Sequence, residues 1–162
     1  MAATEATLRA AIETLMNTVT NIGTVHDYER HSTDWSDLLD KYKTTISSTE
    51  QIRGWTTTCE RVENRVEANQ YHRKTYTFVI RGYLGLDDAD ETEKTAIALG
   101  IAVIEKLEQY PRLNGTLTVG TFTADGWPYI EVFQPRMLGG MLCHYTEIRL
   151  QVYEKGAVTY QE

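Results

Sequence analysis

The alternation of apolar and polar residues is clearest from Tyr71 to Gly115, where it predicts a strand followed by a helix. Between Lys74 and Gly85, one set of alternate positions is apolar: Tyr76, Phe78, Ile80 and Leu84. The other set is mostly polar and consists of Thr75, Thr77, Val79, Arg81 and Tyr83. A period of two is typical of a strand that buries one face.

The predicted helix is the most apolar in the chain. Between Thr92 and Tyr110, apolar residues recur at helical spacing: Ala96, Ile97, Leu99, Gly100, Ile101, Val103, Ile104 and Leu107. Asp90 can serve as its N-cap, with Glu93 three residues further on, and Pro111 stops the helix. Because so much of its surface is apolar, this helix is expected to cover a sheet.

Two more helices are predicted towards the N-terminus. The first runs from about Thr4 to Val19 and buries Leu8, Ile12, Leu15, Met16 and Val19. The second begins near Asp34 and has on its apolar face Trp35, Leu38, Leu39, Tyr42 and Ile46. Residues 24–30, between the two helices, form either a short strand or an extended connection.

The stretch from about residue 51 to residue 84 is interpreted as a long antiparallel hairpin. Trp55 and the three threonines that follow it favour extended chain. The distal half, residues 60–69, alternates charges around Val62 and Val66 and has too little apolar surface to belong to a core. A helix over residues 60–69 is the alternative, because the two valines stand four positions apart.

A three-stranded meander is predicted for the rest of the chain. Its strands are residues 116–124, 127–134 and 141–154. Its turns are Asp125-Gly126, interpreted as a tight hairpin, and Gly139-Gly140. The last residues, about 155–162, are interpreted as a frayed tail.

Together these elements predict an α+β fold, with an antiparallel-dominated sheet, helices packed on one face and a protruding β-hairpin. The 162 residues are expected to form a single domain, 1–162. The predicted core consists of Tyr76, Phe78, Ile80, Leu117, Val119, Ile148, Leu150 and Val152, with Ile97, Ile101 and Ile104 laid across it.

Composition narrows the functional classes. A net charge of −7 and a pI near 5.1 argue against a general binder of nucleic acids or anionic membranes. No apolar run approaches ~20 residues and the N-terminus lacks the features of a signal peptide, so a soluble, intracellular chain is expected. Cys59 and Cys143 are expected to be buried free thiols, and a disulfide between them is the alternative.

No familiar catalytic or nucleotide-binding motif occurs in the sequence. One cluster of imidazoles and carboxylates can bind a divalent ion or form a solvated connection, although its spacing matches no standard site. It consists of His26, Asp27, Glu29, His31 and Asp34. The acidic run 87–93 lacks the glycine of a calcium loop and is interpreted as helix capping. His144 is expected to be a core or interface histidine, and His72 an exposed one. We therefore predict no catalytic residue, no cofactor and no metal.

Four segments follow one another in an order that resembles a known family. They are the N-terminal helix to Ile22-Gly23, the strand Tyr76–Tyr83, the helix Glu91–Tyr110 and the final strand His144–Tyr153. In this order of elements the chain resembles the tail terminator, or tail completion, proteins of long-tailed bacteriophages and their prophage relatives.

The resemblance implies a structural protein and not an enzyme. Proteins of this family form a ring, usually a hexamer, on the finished end of the tail tube, where they end polymerisation and mediate head–tail joining. The implied partners are further copies of the chain, the tail tube protein and the head–tail connector protein, in a virion tail assembled in the host cytoplasm. It implies no cofactor, no specific nucleic-acid binding and no membrane partner. One alternative is a head-completion or neck connector protein. Another, of a different class, is a small-ligand-binding domain or an enzyme with a pocket between sheet and helices.

The charged half of the hairpin is the candidate oligomer interface, and its residues are Glu60, Arg61, Val62, Glu63, Arg65, Val66 and Glu67. Ordering this segment for the burial of two valines gains little, since each ordered residue costs about 1–2 kcal/mol of backbone entropy. Such a segment is either a mobile loop or an arm that contacts a neighbouring subunit. Its interleaved charges suit pairing with a mixed-charge surface.

Overall fold

A mostly antiparallel sheet of seven strands, with three helices, forms the part of the chain that the computed structural model describes, residues 3–67, 71–117 and 120–157. The predicted α+β class is therefore confirmed. In chain order the elements are α1 (Glu5–Met16), β1 (Thr24–His26), α2 (Trp35–Asp40), β2 (Lys43–Ile46), β3 (Thr49–Glu67), β4 (Tyr71–Gly85), α3 (Thr92–Gln109), β5 (Gly120–Phe122), β6 (Tyr129–Leu138) and β7 (Met141–Ala157).

The long hairpin lies at the centre of the sheet. β3 and β4 pair from Arg53 opposite Leu84 to Glu67 opposite Tyr71, and β7 pairs with the other side of β4 along its whole length. The strand order is β1-β3-β4-β7-β5, with β2 also on β3 and β6 also on β7. Threonine and aromatic side chains, which suit a pleated surface, dominate the inner halves of β3 and β4. The predicted hairpin is confirmed, and the helical alternative is wrong for residues 60–67.

The segment that contains Asp125-Gly126 is not the tight hairpin that was predicted. β5 pairs antiparallel with residues 152–154 of β7 and β6 with residues 141–149, so both strands run the same way along one edge. The segment between them forms a turn in which the Gly126 N–H donates to the Thr123 carbonyl. It is held against the Gln151 backbone, whose carbonyl accepts from the Thr123 N–H and whose N–H donates to the Gly126 carbonyl. The Asp-Gly pair permits a tight turn locally, but the long edge of β7 is available to both strands and decides the pairing.

The predicted turn at Gly139-Gly140 is confirmed. It joins Leu138 to Met141, which face each other across a two-residue loop, and φ is 54° and 82° at the two glycines. Two positive φ values are what the commonest two-residue hairpin loops need, and glycine adopts them without steric cost.

The second helix is shorter than predicted. α2 ends at Asp40, and residues 43–46 form β2 against β3, so Ile46 lies on a strand. Trp35 is exposed and not buried. Backbone pairing with β3 competes successfully for the end of the predicted helix, since intrinsic helix propensity is weak. Leu38 and Leu39 pack against a small cluster formed by Tyr42, Ile52, Leu138 and Cys143.

The main core lies between the sheet and the helices α1 and α3. It contains seven of the predicted sheet residues, all buried: Tyr76, Phe78, Ile80, Leu117, Ile148, Leu150 and Val152. The eighth, Val119, lies outside the described residues. α1 buries the apolar face that its spacing predicts, Leu8, Ile12, Leu15 and Met16. Thr4 forms the N-cap of α1, accepting from the Thr7 N–H.

α3 turns a different face to the core from the one predicted. Its buried residues are Ala96, Leu99, Gly100, Val103 and Leu107. Ile101 is 45% exposed, Ile97 is half-buried and Ile104 only borders the core, so the prediction that these three isoleucines cover the sheet is wrong. Small residues fit the contact better: a Cβ at Gly100 would lie 3.1 Å from the Ile130 side chain.

Both cysteines are free thiols, and they differ in exposure. Cys143 is buried, as predicted, in the small cluster beneath α2. Cys59 is half-buried and not buried, because it lies beside the bulge where β3 leaves the core.

We expect Cys143 to resist alkylation in the native protein. Burial raises the pKa of its thiol to about 11, so very little of the reactive thiolate is present at pH 8. Burial also raises the pKa of Cys59, but this thiol is better exposed and should react first. Pulse labelling with iodoacetamide, read by peptide mass spectrometry, measures the order, and denaturant should bring the two rates together. Faster native labelling at Cys143 would contradict its burial.

Candidate interaction surface

The candidate arm continues the sheet beyond the core. Tyr76 and Val152 are the last fully buried pair across β4 and β7, and past them β4 continues to Tyr71 and β7 to Ala157. Five residues at about 3.3 Å each carry these strands roughly 17 Å from the core. β7 thus adds a third strand to the predicted hairpin. The prediction of a frayed tail is wrong for residues 155–157, which pair with β4, and residues 158–162 lie outside the described chain.

We term residues 61–67, 71–75 and 155–157 the distal arm. Glu154, which pairs with Lys74, is left out because it is buried and accepts a hydrogen bond from the Ala3 N–H. Val62 and Val66 are 51% and 65% exposed, and Tyr71 is also exposed. The distal arm has five basic and two acidic residues, a net charge of +3 in a chain of net charge −7. These residues are Arg61, Arg65, Arg73, Lys74 and Lys155, with Glu63 and Glu67. The distal arm is therefore a basic, partly apolar projection from an acidic protein.

Several charges of the distal arm pair within it. Glu67 lies 2.9 Å from Lys155 and 3.7 Å from Arg73, and the hydrogen bond from Lys155 lowers the pKa of this carboxyl below its ordinary value. The Arg73 guanidinium lies 4.3 Å from the centre of the Tyr153 ring. These contacts join all three strands in a region that has no core.

Arg65 differs from its neighbours in the arm. Within residues 3–67, 71–117 and 120–157 it has no ion pair, and it stands directly opposite Arg73 in the register of β3 and β4. Like charges directly opposite each other destabilise a strand pair. A partner that places carboxylates here would relieve this repulsion.

Glu60 anchors the base of the arm. Its carboxylate lies 3.0 Å from Arg81 and 2.9 Å from Arg149, on the sheet face that points away from α1 and α3. Of the seven predicted interface residues, Glu60 is therefore held by the sheet, and the other six lie on the distal arm.

A groove lies at the other end of β4 and β7. Its volume is about 680 Å³. Its wall is formed by residues 86–88 and 91–94, between β4 and the first turn of α3, and its floor includes Phe133, Pro135 and His144 from β6 and β7. The wall has four carboxylates against one ammonium group, a net charge of −3: Asp87, Asp88, Glu91 and Glu93, with Lys94. We term this feature the acidic groove.

Thr92, and not Asp90, organises the start of α3. The residue before the helix is Glu91, in the left-handed region with φ of 49° and without a side-chain capping bond, so the predicted Asp90 cap is wrong. The Thr92 hydroxyl accepts from the Asp87 N–H and donates to the Asp87 carbonyl, both at 2.8 Å. The acidic run folds as a loop that closes on Thr92 and leaves several carboxylates facing the groove.

His144 is buried, as predicted, and forms part of the groove floor. Its Nε2 lies 3.0 Å from the Thr92 hydroxyl, and the Phe133 ring stacks on the imidazole with 6.0 Å between ring centres. The histidine thus joins α3 to the sheet.

The other histidines are dispersed. His26 Nε2 donates to the Lys41 carbonyl at 2.8 Å, and His31 is exposed. His72 is half-buried and not exposed as predicted. In the described part of the chain, no three or more His, Cys, Asp or Glu side chains are grouped closely enough to hold a metal ion.

A cavity between the sheet and α3 measures about 10 Å³. Arg53, Trp55 and Thr146 are among the residues around it. This volume is about that of a single water probe, so it does not admit a small-molecule ligand. Among the described helices, none combines the length and apolarity needed to span a membrane.

Comparison with known proteins adds no relative. Neither the protein-family models nor the curated proteins include a match to this chain. The distal arm and the acidic groove are therefore the features of the molecule that bear on its function.

Sequence reasoning located the arm and missed the groove. The acidic run was visible, but helix capping was a sufficient local explanation for it. A different signal indicates the groove. Phe133 and Pro135 lie on the same sheet face as the inward residues of β7, and no predicted helix covers them.

Proposed function

We propose that this chain is a structural virion protein that caps the head-proximal end of a phage tail tube as a ring. In this role it ends tail polymerisation and mediates head–tail joining. The order of elements supports the proposal, since α1, the long hairpin, α3 and the closing strand β7 follow the order that carried the resemblance to tail terminator proteins. The proposed partners are further copies of the chain, the tail tube protein and the head–tail connector.

The observation that carries the proposal is the distal arm. Three ordered strands extend beyond the core, with two valines and a tyrosine exposed on them. Ordering each of these residues costs about 1–2 kcal/mol of backbone entropy, and the arm buries little apolar surface within its own chain. Such an arm is favourable when a second molecule covers it, as in a closed ring of identical subunits.

Particles assembled without this protein should have tails of uncontrolled length or tails that fail to join heads. A tail tube without a terminal ring lacks both the stop to polymerisation and the surface for the connector. Electron microscopy of such particles, with the wild-type chain supplied in trans as the control, measures tail length and the fraction of joined tails.

Two results separate the alternatives. Tails of normal length joined to heads would contradict the proposal. Tails of normal length beside defective heads would instead favour a head-completion or neck connector protein.

A further inference from the structure

The charges of this protein are separated along the sheet. The distal arm, of net charge +3, lies at one end of β4 and β7, and the acidic groove, of net charge −3, lies at the other. The 15 residues of β4 place the two ends roughly 45 Å apart. An arm therefore cannot reach the groove of its own chain, and a partner for either surface must be another molecule.

The acidic groove continues into an uncovered apolar sheet face. Met137 and Leu142 face each other across β6 and β7, on the same side of the sheet as His144, and are 63% and 44% exposed. α3 does not cover this end of the sheet because the helix begins only at Thr92. The result is an apolar surface with carboxylates along one border. The distal arm also has exposed apolar side chains, but its net charge is positive.

We infer that the distal arm of one copy docks in the acidic groove of the next copy. This inference rests on the proposed function, in which copies of the chain assemble into a ring. Val66 and Lys74 lie on one face of the arm, and Arg65 and Tyr71 lie on the other, so its described end has apolar and basic side chains on both faces. The apolar side chains contact Phe133 and Met137, and Arg65 and Lys74, which have no ion pair within the described residues, meet the carboxylates of the wall. A volume of about 680 Å³ accommodates a few side chains, so side chains from the described ends of β3 and β4 enter the groove while the backbone of these strands remains outside.

This contact is heterologous, because the two surfaces that meet are different. Each copy has one arm and one groove, so every copy contacts one neighbour on each side. Repeated by a rotation that closes, such a contact generates a ring, and without closure it generates a filament. The inference therefore gives the proposed ring a defined subunit contact.

Charge reversal at exposed residues tests the contact. The arm variant combines Arg65→Glu with Lys74→Glu, and the groove variant combines Asp88→Lys with Glu93→Lys; none of these side chains has an ion pair within the described chain. Each variant should lose self-association by about 100-fold or more, because like charges then face each other across the contact. The matched control, Glu105→Lys with Glu108→Lys on the exposed side of α3, changes net charge as much as the groove variant and should associate like wild type.

Mixing the two variants is the decisive measurement. The arm variant retains an intact groove and the groove variant retains an intact arm, so an equimolar mixture should form a one-to-one dimer that grows no further. A chain with all four substitutions should recover self-association. Size-exclusion chromatography with light scattering measures these masses, and circular dichroism checks the fold of each variant.

Three results would overturn the inference: a wild type that stays monomeric at its highest soluble concentration, a mixture that forms no dimer, or a fourfold variant that stays monomeric. The particle experiment is scored separately. If the pairing fails while particles without the protein have unterminated tails, the arm–groove contact is wrong and the proposed function stands. If the pairing succeeds while those particles have normal joined tails, the proposed function is wrong and the contact stands.

Discussion

Replacing Leu107 with alanine should lower the free energy of unfolding by about 2–5 kcal/mol, whereas replacing Ile101 with alanine should change it by less than about 1 kcal/mol. Leu107 is fully buried between α3 and the sheet, so its truncation leaves a cavity. Ile101 is 45% exposed on the outer side of the same helix. Alanine also has the higher helix propensity, which offsets part of the loss at Ile101.

Urea denaturation followed by tryptophan fluorescence measures both changes. The two variants control for each other, since each shortens one aliphatic side chain on α3 to the same methyl group. A larger loss at Ile101 than at Leu107 would mean that α3 covers the sheet with its isoleucine face. Equal losses above about 2 kcal/mol would mean that both faces are buried, one of them by a partner copy.

The elements that are predicted well from the sequence are those whose buried residues recur at the regular spacing of a strand or a helix. β4 buries Tyr76, Phe78 and Ile80 on one face, and α1 buries one narrow stripe, so period and structure agree. The Gly139-Gly140 turn was also predictable, because its requirement for positive φ is met by the two residues themselves.

The orientation of α3 was not predictable from its own residues. Its apolar stripe is wide enough for two faces, one lined by isoleucines and one by Ala96, Gly100 and Val103. The choice depends on what the sheet presents: at Gly100 the helix approaches Ile130 and Thr146 so closely that a Cβ would already be crowded. The spacing of apolar residues is enough to predict the helix, but close packing against the sheet determines which face of the helix is buried.

The pairing of β5 and β6 was also decided at long range. Asp125-Gly126 is a strong local signal for a hairpin, and a hairpin would have paired the two strands with each other. β7 is 17 residues long, and its edge accommodates both strands in succession. The preference of Asp125-Gly126 for a tight turn depends only on neighbouring residues, so it cannot indicate that a long strand elsewhere in the chain will pair with both β5 and β6.

The two candidate surfaces differ in the same way. The arm is a continuous stretch whose excess of charge over apolar surface is visible in sequence. The acidic groove combines a loop at residues 86–91 with strand residues some 45 positions later, such as Phe133 and Pro135. Only the hairpin of β6 and β7, placed beside β4, brings them together.

Shortening the arm should abolish assembly and leave the monomer folded. In this variant an Asn-Gly dipeptide replaces residues 63–75 and joins Val62 to Tyr76, which already face each other across β3 and β4. A two-residue loop of this composition closes an antiparallel pair. The thermal midpoint should move by only a few degrees, because the described residues among those deleted, 63–67 and 71–75, lie outside both apolar clusters, while the ring contact should disappear with the distal arm.

The control for this variant keeps the arm at full length. Asp40→Asn with Lys43→Gln removes an exposed ion pair of 2.7 Å, which contributes about 0–1 kcal/mol, and should preserve both fold and assembly, because neither residue is on the distal arm or lines the acidic groove. Calorimetry measures the midpoints, and electron microscopy of particles measures assembly. If the shortened protein unfolds, the arm stabilises the fold of its own chain and its exposure has been misjudged. If it assembles normally, the subunit contact lies elsewhere, and the free edge of β6 becomes the surface to test, since β6 pairs on one side only within the described sheet.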